Sequence, residues 1–190
     1  VLAEDTRRTV GLLRHFGVDN SLQSLHEHNE AARCDDIVAR LNSGDNIALV
    51  SDAGTPLVSD PGYLLVRAAV QAGCRVIPVP GPCAATAALS VAGIATHRFV
   101  FEGFLPARGG PRRERLLELA REARTVVFYE APHRLSETLT DIAKVLGDDR
   151  EMAVARELTK LYEQVVTGPV ATLLEAVELG TIPALGEIVL

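Results

Sequence analysis

Two short segments rich in glycine, proline and small residues stand where an α/β protein commonly holds a small ligand. Ser51-Asp52-Ala53-Gly54-Thr55-Pro56 follows the apolar run 46–51, and Pro80-Gly81-Pro82-Cys83-Ala84-Ala85 follows the apolar run 76–79. Ligands of open α/β sheets bind beyond the carboxyl ends of strands. In the first segment Gly54 allows backbone to approach a ligand closely, Pro56 fixes the exit of the chain, and Asp52 offers a carboxylate to hydroxyls or an amine. No Gly-Lys-Ser/Thr follows, so it is not a Walker A loop, and it is not a Gly-x-Gly-x-x-Gly fingerprint. An ordinary turn capped by an aspartate explains it equally well when it is taken alone. Helix–sheet packing likewise accounts for the small residues of the second segment.

Proton-transfer chemistry has three candidates, Glu130, Glu157 and Lys160. Lysine serves as a base only where burial or a neighbouring cation lowers its pKa. The alternative for Arg156-Glu157-x-x-Lys160 is an exposed ion-pair cluster. Arginines gather in two places: Arg108, Arg112, Arg113 and Arg115 around a Gly-Gly-Pro turn, and Arg7, Arg8 and Arg14 near the start of the chain. Arginine forks match phosphate oxygens, so either group suits a phosphate clamp, against the alternative of a solvated helix face. His26 and His28 fall on one face of a strand, but no third ligand at suitable spacing accompanies them, and no metal is expected.

The elements that must carry these residues are legible from periodicity. Strands are expected at 1–3, 21–28, 46–51 and 76–79, alternating with helices at 6–16, 30–42, 60–72 and 83–92. In the third helix Asp60 is the expected N-cap and Pro61 the first helical residue. That alternation is a βαβ pattern and implies a mostly parallel, doubly wound sheet. Beyond residue 98, strands are expected at 99–104, 125–129, 152–156, 164–167 and 186–190, and helices at 111–122, 135–146 and 170–179. The change of texture near 95–98 divides the chain into domains 1–96 and 97–190, the first lacking its initial strand and the second with its last strand incomplete. The opening Val1-Leu2-Ala3, without a starting Met, reads as the end of a strand, so the sequence is expected to be a fragment.

Bulk properties set limits. Hydrophobic residues are 47% and charged residues 23% of 190, a folded-domain profile. With no Trp and 4% aromatics, a surface built from many stacking rings is not expected. The three cysteines form no Cys-x-x-Cys pair, which points to a reducing cytoplasm and neither disulfides nor zinc. No apolar run approaches the roughly 20 residues of a membrane span. A net charge of −6 means that any polyanion is held by a local patch.

Taken in order, several segments resemble the tetrapyrrole methylase superfamily, and within it the branch acting on ribosomal RNA. They are Ala3-Glu4-Asp5-Thr6-Arg7, His26-Glu27-His28-Asn29-Glu30, Ser51 to Pro56 continued by Ser59-Asp60-Pro61-Gly62, and Pro78-Val79-Pro80-Gly81-Pro82. Further along come Phe101-Glu102-Gly103-Phe104-Leu105-Pro106, Phe128-Tyr129-Glu130-Ala131-Pro132-His133-Arg134 and Ala155-Arg156-Glu157-Leu158-Thr159-Lys160. The resemblance implies two α/β domains with a cofactor cleft between them. It implies S-adenosylmethionine as cofactor, no metal, and methylation of a cytidine ribose 2′-OH in 16S ribosomal RNA. It also implies a homodimer acting on the 30S subunit. The cofactor residues it implies are Asp52, Ala53, Gly54, Val58, Asp60, Ala84, Tyr129 and Glu130. Arg7, Arg8, Arg108, Arg112 and Arg113 would then line the RNA path. Cys83 stands where the family has Ser, a small-for-small exchange, and the family's initial strand and Gly-containing loop have no counterpart here.

Two other functions compete. Methylation of a tetrapyrrole precursor or other small molecule needs a pocket gripping several carboxylates, and the segments ending in Arg134 and Lys160 do not match that branch. A non-catalytic RNA-binding module predicts a damaged cofactor loop, whereas the residues from Asp52 to Pro56 are intact.

Overall fold

A computed structural model describes residues 1–190. The chain divides into two compact units, Val1–Cys83 and Ala84–Leu190.

In the first unit, strands β1 (Leu2–Ala3), β2 (Gln23–Ser24) and β3 (Leu49–Val50) form a parallel sheet of order β2-β1-β3. Around them lie helices α1 (Thr6–His15), α2 (Glu30–Asn42) and α3 (Tyr63–Gln71). The parallel order follows from the alternation of strand and helix, because each crossover helix returns the chain to the same end of the sheet. Leu2, Leu25, Ile37 and Leu65 are buried in its core, with Cys34 among them. Asp5 starts α1 by accepting the Arg7 amide at 2.8 Å. Buried Glu30 accepts the Leu65 amide at 2.9 Å, tying α2 to the first turn of α3.

Three expectations here are corrected. No strand forms at 76–79. Pro78 and Pro80 have no amide hydrogen to give a ladder, and Ile77 and Val79 are exposed. The strands expected at 21–28 and 46–51 are paired over only two residues each. Helix α3 is capped by Gly62, not Asp60, because the chain from 57 to 62 turns through left-handed backbone at Leu57, Ser59 and Gly62 before any helical turn closes.

In the second unit α4 (Ala84–Val91) precedes a five-stranded mixed sheet of order β4-β5-β8-β6-β7. Its strands are β4 (Phe99–Phe104), β5 (Thr125–Glu130), β6 (Glu151–Arg156), β7 (Gln164–Pro169) and β8 (Ile188–Val189). Helices α5 (Gly109–Leu119), α6 (Leu135–Leu146) and α7 (Val170–Glu178) supply Leu116, Leu135, Leu139, Ile142 and Leu173 to the larger core. The expected elements are present with shifts at their ends. Helix α5 starts two residues early, since Pro111 is tolerated in a first turn. Helix α4 belongs to the second unit, where it packs on β5 and β8, so the chain divides earlier than the texture change at 95–98.

Strand β8 runs antiparallel to both β5 and β6, so β5 and β6 end at the same edge. Glu130 and Arg156 both pair with Ile188 there. This places Tyr129-Glu130 and Arg156-Glu157 at one rim of the sheet, with the carboxyl end of β4 beside them.

Candidate functional site

In the first unit the two glycine- and proline-rich segments meet. Thr55 Oγ1 donates to the Pro82 carbonyl at 2.8 Å, and a Cβ on Gly54 would lie 3.7 Å from the same oxygen. Gly54 has φ +80°, which other residues adopt only with strain. Ser51 Oγ donates to the Ala53 and Gly54 carbonyls at 3.3 and 3.2 Å, closing the turn. Ala53 and Gly54 themselves are exposed, so their backbone faces outward from a braced loop.

The carboxylates are set by their neighbours. Asp52 Oδ1 accepts the Asp5 amide at 3.0 Å, and its Oδ2 lies 3.5 Å from Arg8 Nε. The loop after β3 and the start of α1 are therefore one assembly. Burial, reinforced by the charges of Glu4 and Asp52, pushes the Asp60 carboxyl up to about 6 against a hydrogen bond from Ser51. Leu57 and Ser59 hold φ of +72° and +63° on either side of Val58. Gly62 makes this bend feasible: a Cβ there would come within 2.7 Å of Leu49 Cδ2 and 2.9 Å of Leu57 Cδ1. Non-glycine residues in left-handed backbone are costly and cluster where surrounding structure enforces them, often at ligand sites.

In the second unit Tyr129 Oη accepts the Ala85 amide at 3.3 Å, at the first turn of α4 that begins with Ala84. Its ring packs edge-on against Phe101 and Phe104, with centroids 4.9 and 5.7 Å away. A register shift between Phe101 and Gly103 brings two residues three apart onto one ring, which a regular strand would not do.

Glu130 does not present a proton acceptor. It is buried, and its Oε1 accepts from the Ala131 amide at 2.7 Å and from Arg134 Nε and Nη2 at 2.8 and 2.5 Å. Its Oε2 accepts from Thr138 Oγ1 at 2.5 Å. These bonds occupy the carboxylate and fix the turn Pro132–Arg134 between β5 and α6. Lys160 is also unsuited to be a base. Its Nζ donates to Glu157 Oε1 at 2.8 Å and Glu187 Oε2 at 3.0 Å, and these carboxylates push its pKa above the usual lysine value. Glu157 is held below the ordinary glutamate range, chiefly by that bond from Lys160 and then by the Glu187 amide. Both bonds reach Oε1, which leaves Oε2 as the oxygen able to take a proton. Glu157 and Thr159 have φ of +50° and +65°. Buried Arg156 steadies this turn by donating to the carbonyls of Leu185 and Tyr162.

The arginines separate into two kinds. Arg112 is 3% exposed and donates through Nε to Asp141 at 2.7 Å, so it is a core ion pair and cannot reach a phosphate. Arg113 shares Asp141 at 3.1 Å but stays half exposed, Arg115 is engaged by Glu102 and Glu118, and Arg108 is exposed without an acidic partner. On α1, Arg7 pairs with Asp5 in solvent and Arg8 with Asp52. Sequence spacing gave no warning that Arg112 turns inward. The signal was Asp141 on the apolar side of α6, four residues after Glu137. His26 and His28 stack edge-on at 6.0 Å.

A cavity of about 440 Å³ in the second unit lies among Ala88, Leu89, Val126, Leu146, Met152 and Leu190. It opens beside the early residues of β5 and β6, with Val189 and Leu190 on its wall.

These loops and the two α/β units define the fold class. The structure is similar to that of the methyltransferase CobJ, with TM-score 0.64 and 18% identity, covering 99% of this chain and 81% of that one. It is also similar to uroporphyrin-III C-methyl transferase from Thermus thermophilus complexed with S-adenyl homocysteine, with TM-score 0.60 and 17% identity, covering 100% and 82%. The model of the Tetrapyrrole (Corrin/Porphyrin) Methylases matches residues 1–174, and the chain belongs to that family. Among curated relatives, "Ribosomal RNA small subunit methyltransferase I" of Xylella fastidiosa (strain Temecula1) is 59% identical over 173 residues, covering 91% of this chain and 63% of that protein. The protein of that name from Escherichia coli O157:H7 is 52% identical over 190 residues, covering 100% of this chain and 66% of its own length. The chain thus spans just under two thirds of these relatives.

Proposed function

We propose that the protein uses S-adenosylmethionine to methylate the ribose 2′-OH of a cytidine in 16S ribosomal RNA, as a cytoplasmic homodimer acting on the 30S subunit. What carries this reading is the Thr55–Pro82 bond, which makes one braced surface of the two segments the family resemblance assigns to the cofactor. High identity to relatives named for the small-subunit RNA supports the substrate.

The residues present fit the cofactor. Exposed backbone at Ala53 and Gly54, beside the Asp52 and Asp60 carboxylates, suits the amine and carboxylate of a methionine moiety, and Val58 provides an apolar side. Ala84 and Tyr129 stand at the start of α4, where small side chains and a ring edge suit an adenosyl group. Glu130 contributes by holding this turn. S-adenosylmethionine supplies the methyl group to be transferred. The protein orients the acceptor hydroxyl, excludes water and removes a proton. Orientation is worth about 7–11 kcal/mol and a base about 10²–10⁴-fold, so positioning dominates. Glu157 is the assigned base, receiving the 2′-OH proton at Oε2, while Lys160 stays protonated and holds Oε1. Arg7, Arg8, Arg108 and Arg113 contact phosphates.

The test is transfer of labelled methyl from S-adenosylmethionine to 30S subunits, naked 16S RNA or uroporphyrinogen, followed by mapping of the product. Label on a cytidine ribose supports the proposal. Label on the tetrapyrrole, or none despite cofactor binding, rejects it.

A further inference from the structure

Lys160 Nζ stands between two carboxylates, 2.8 Å from Glu157 Oε1 and 3.0 Å from Glu187 Oε2. The backbone of Glu187 is also bonded to Glu157 twice. Its carbonyl accepts the Glu157 amide at 2.9 Å, and its amide donates to Glu157 Oε1 at 3.0 Å. Both of those bonds are independent of the Glu187 side chain, whose carboxylate meets the lysine. Other charged groups around Glu157 are engaged elsewhere. Arg156 donates to the carbonyls of Leu185 and Tyr162, and Glu163 accepts the Thr159 amide at 2.6 Å. Glu187 is therefore the carboxylate that competes with Glu157 for Lys160. An ammonium is a compact charge on a flexible stem, free to slide between the two oxygens of a carboxylate that it pairs with alone.

We infer that Glu187 is a positioning residue, whose carboxylate draws Lys160 to the Oε1 side of Glu157 and so keeps Oε2 open for the proton of the acceptor hydroxyl. It acts through Lys160 and not on the substrate. The same contact has an electrostatic side. An opposite charge favours the ionised form of a carboxyl and a like charge disfavours it, so Glu187 offsets part of the pull by which Lys160 weakens Glu157 as a base. That pull is the first cause holding Glu157 below the ordinary glutamate range. The Glu187 side chain is 68% exposed, which keeps the effect small, because solvent-facing pairs are weak and screened by salt. This role of Glu187 rests on the reading of Glu157 as the base, and adds to it the group that keeps the second oxygen available.

The test pairs steady-state methyl transfer to 16S RNA or 30S subunits with carbon-13 NMR titration of the Glu157 carboxyl, whose signal is assigned by its loss in Glu157→Gln. The variants are Glu187→Gln, Glu157→Gln and the control Glu151→Gln. Glu187→Gln keeps both backbone bonds and the length of the side chain while removing its charge. It is expected to lower kcat about two- to fivefold, the scale of a surface ion pair, with the KM for RNA and for S-adenosylmethionine unchanged. In that variant the Glu157 carboxyl should titrate at lower pH than in the parent. Glu151→Gln removes an equal charge at the exposed far end of β6, about 17 Å from Arg156, and should change neither reading. A Glu157 titration that stays at the parent position, or moves up, in Glu187→Gln overturns the inference. So does a parent kcat in that variant, or a rise in KM in place of the fall in kcat, because the carboxylate would then meet a substrate directly. Parent kcat in Glu157→Gln, or a parent protein that transfers no methyl to RNA, overturns the underlying reading instead.

Discussion

Thr55 Oγ1 donates to the Pro82 carbonyl at 2.8 Å, joining the turn after β3 to a segment 27 residues further along the chain. The bond is solvent-facing, so each partner also has water as an alternative, and the net value of such a bond is about 0.5–1.5 kcal/mol. Thr55→Val keeps the shape and removes the donor. It should weaken S-adenosylmethionine binding about two- to tenfold by titration calorimetry, with the melting temperature nearly unchanged. Binding equal to that of the parent protein would show that the two segments do not act together.

The Arg112–Asp141 pair is a structural contact, and its loss should show in stability. The two side chains are 3% and 5% exposed, and removing one leaves the other charge buried. Arg112→Ala should cost about 3–5 kcal/mol in urea unfolding, while Arg113→Ala, at a half-exposed partner, should cost about 1 kcal/mol or less. Despite the burial of Asp141, which opposes it, hydrogen bonds from Arg112 and Arg113 hold its carboxyl below the ordinary 3.8. A depressed carboxylate stabilises the fold above its unfolded value and loses that contribution as pH falls below it. The parent should therefore lose stability steeply below about pH 4, and Arg112→Ala should lose much of that slope. Equal stability of the two alanine variants would contradict the assignment.

Asp60 has the opposite sign. Its carboxyl is raised to about 6, first by burial and then by Glu4 and Asp52, so ionising it costs the folded state more than the unfolded one. That cost is absent at acid pH, where both states are protonated, and is complete once pH exceeds 6. Asp60→Asn should raise the melting temperature above pH 6, and the gain should fade as pH drops towards 4. The same variant should bind S-adenosylmethionine more weakly. Such a trade of stability for function is expected where a carboxylate is kept for a ligand. A melting curve that follows the parent across the whole range would refute it.

How far the sequence foretold this arrangement depends on the kind of signal. Helix α2 and strand β4 lie where periodicity and their bounding residues put them, because local patterning determines them. The segment 76–79 misled, since its apolar residues read as a strand while Pro78 and Pro80 withhold the amides a ladder needs. Asp60 and Pro61 had the right types for a helix start, yet the left-handed backbone at Leu57, Ser59 and Gly62 is set by side chains from β3 and the loop itself. At the candidate site, the order of motifs assigned the cofactor to two loops by resemblance. It could not tell that Glu130 is saturated by Arg134 and Thr138, or that Arg112 turns inward to Asp141, since both depend on contacts made after α6 packs.

Gly186 offers a sharp test of the assigned base. It sits at φ +81°, and a Cβ there would lie 2.3 Å from Glu157 Cδ and Oε1. The Glu157 side chain could swing away only by giving up Lys160 Nζ and the Glu187 amide, the two bonds that orient its carboxylate. Gly186→Ala should therefore cost about 1–2 kcal/mol from the left-handed backbone. It should lower kcat by more than tenfold, because the carboxylate would no longer be held by Lys160 and the Glu187 amide. Glu157→Gln should lower kcat by about 10²–10⁴-fold and leave stability close to the parent's. Combining the two changes should add little to the loss from Glu157→Gln alone, since both act through one carboxylate. If instead their effects on kcat multiply, the glycine acts on something other than Glu157, and the proton must be taken by another group.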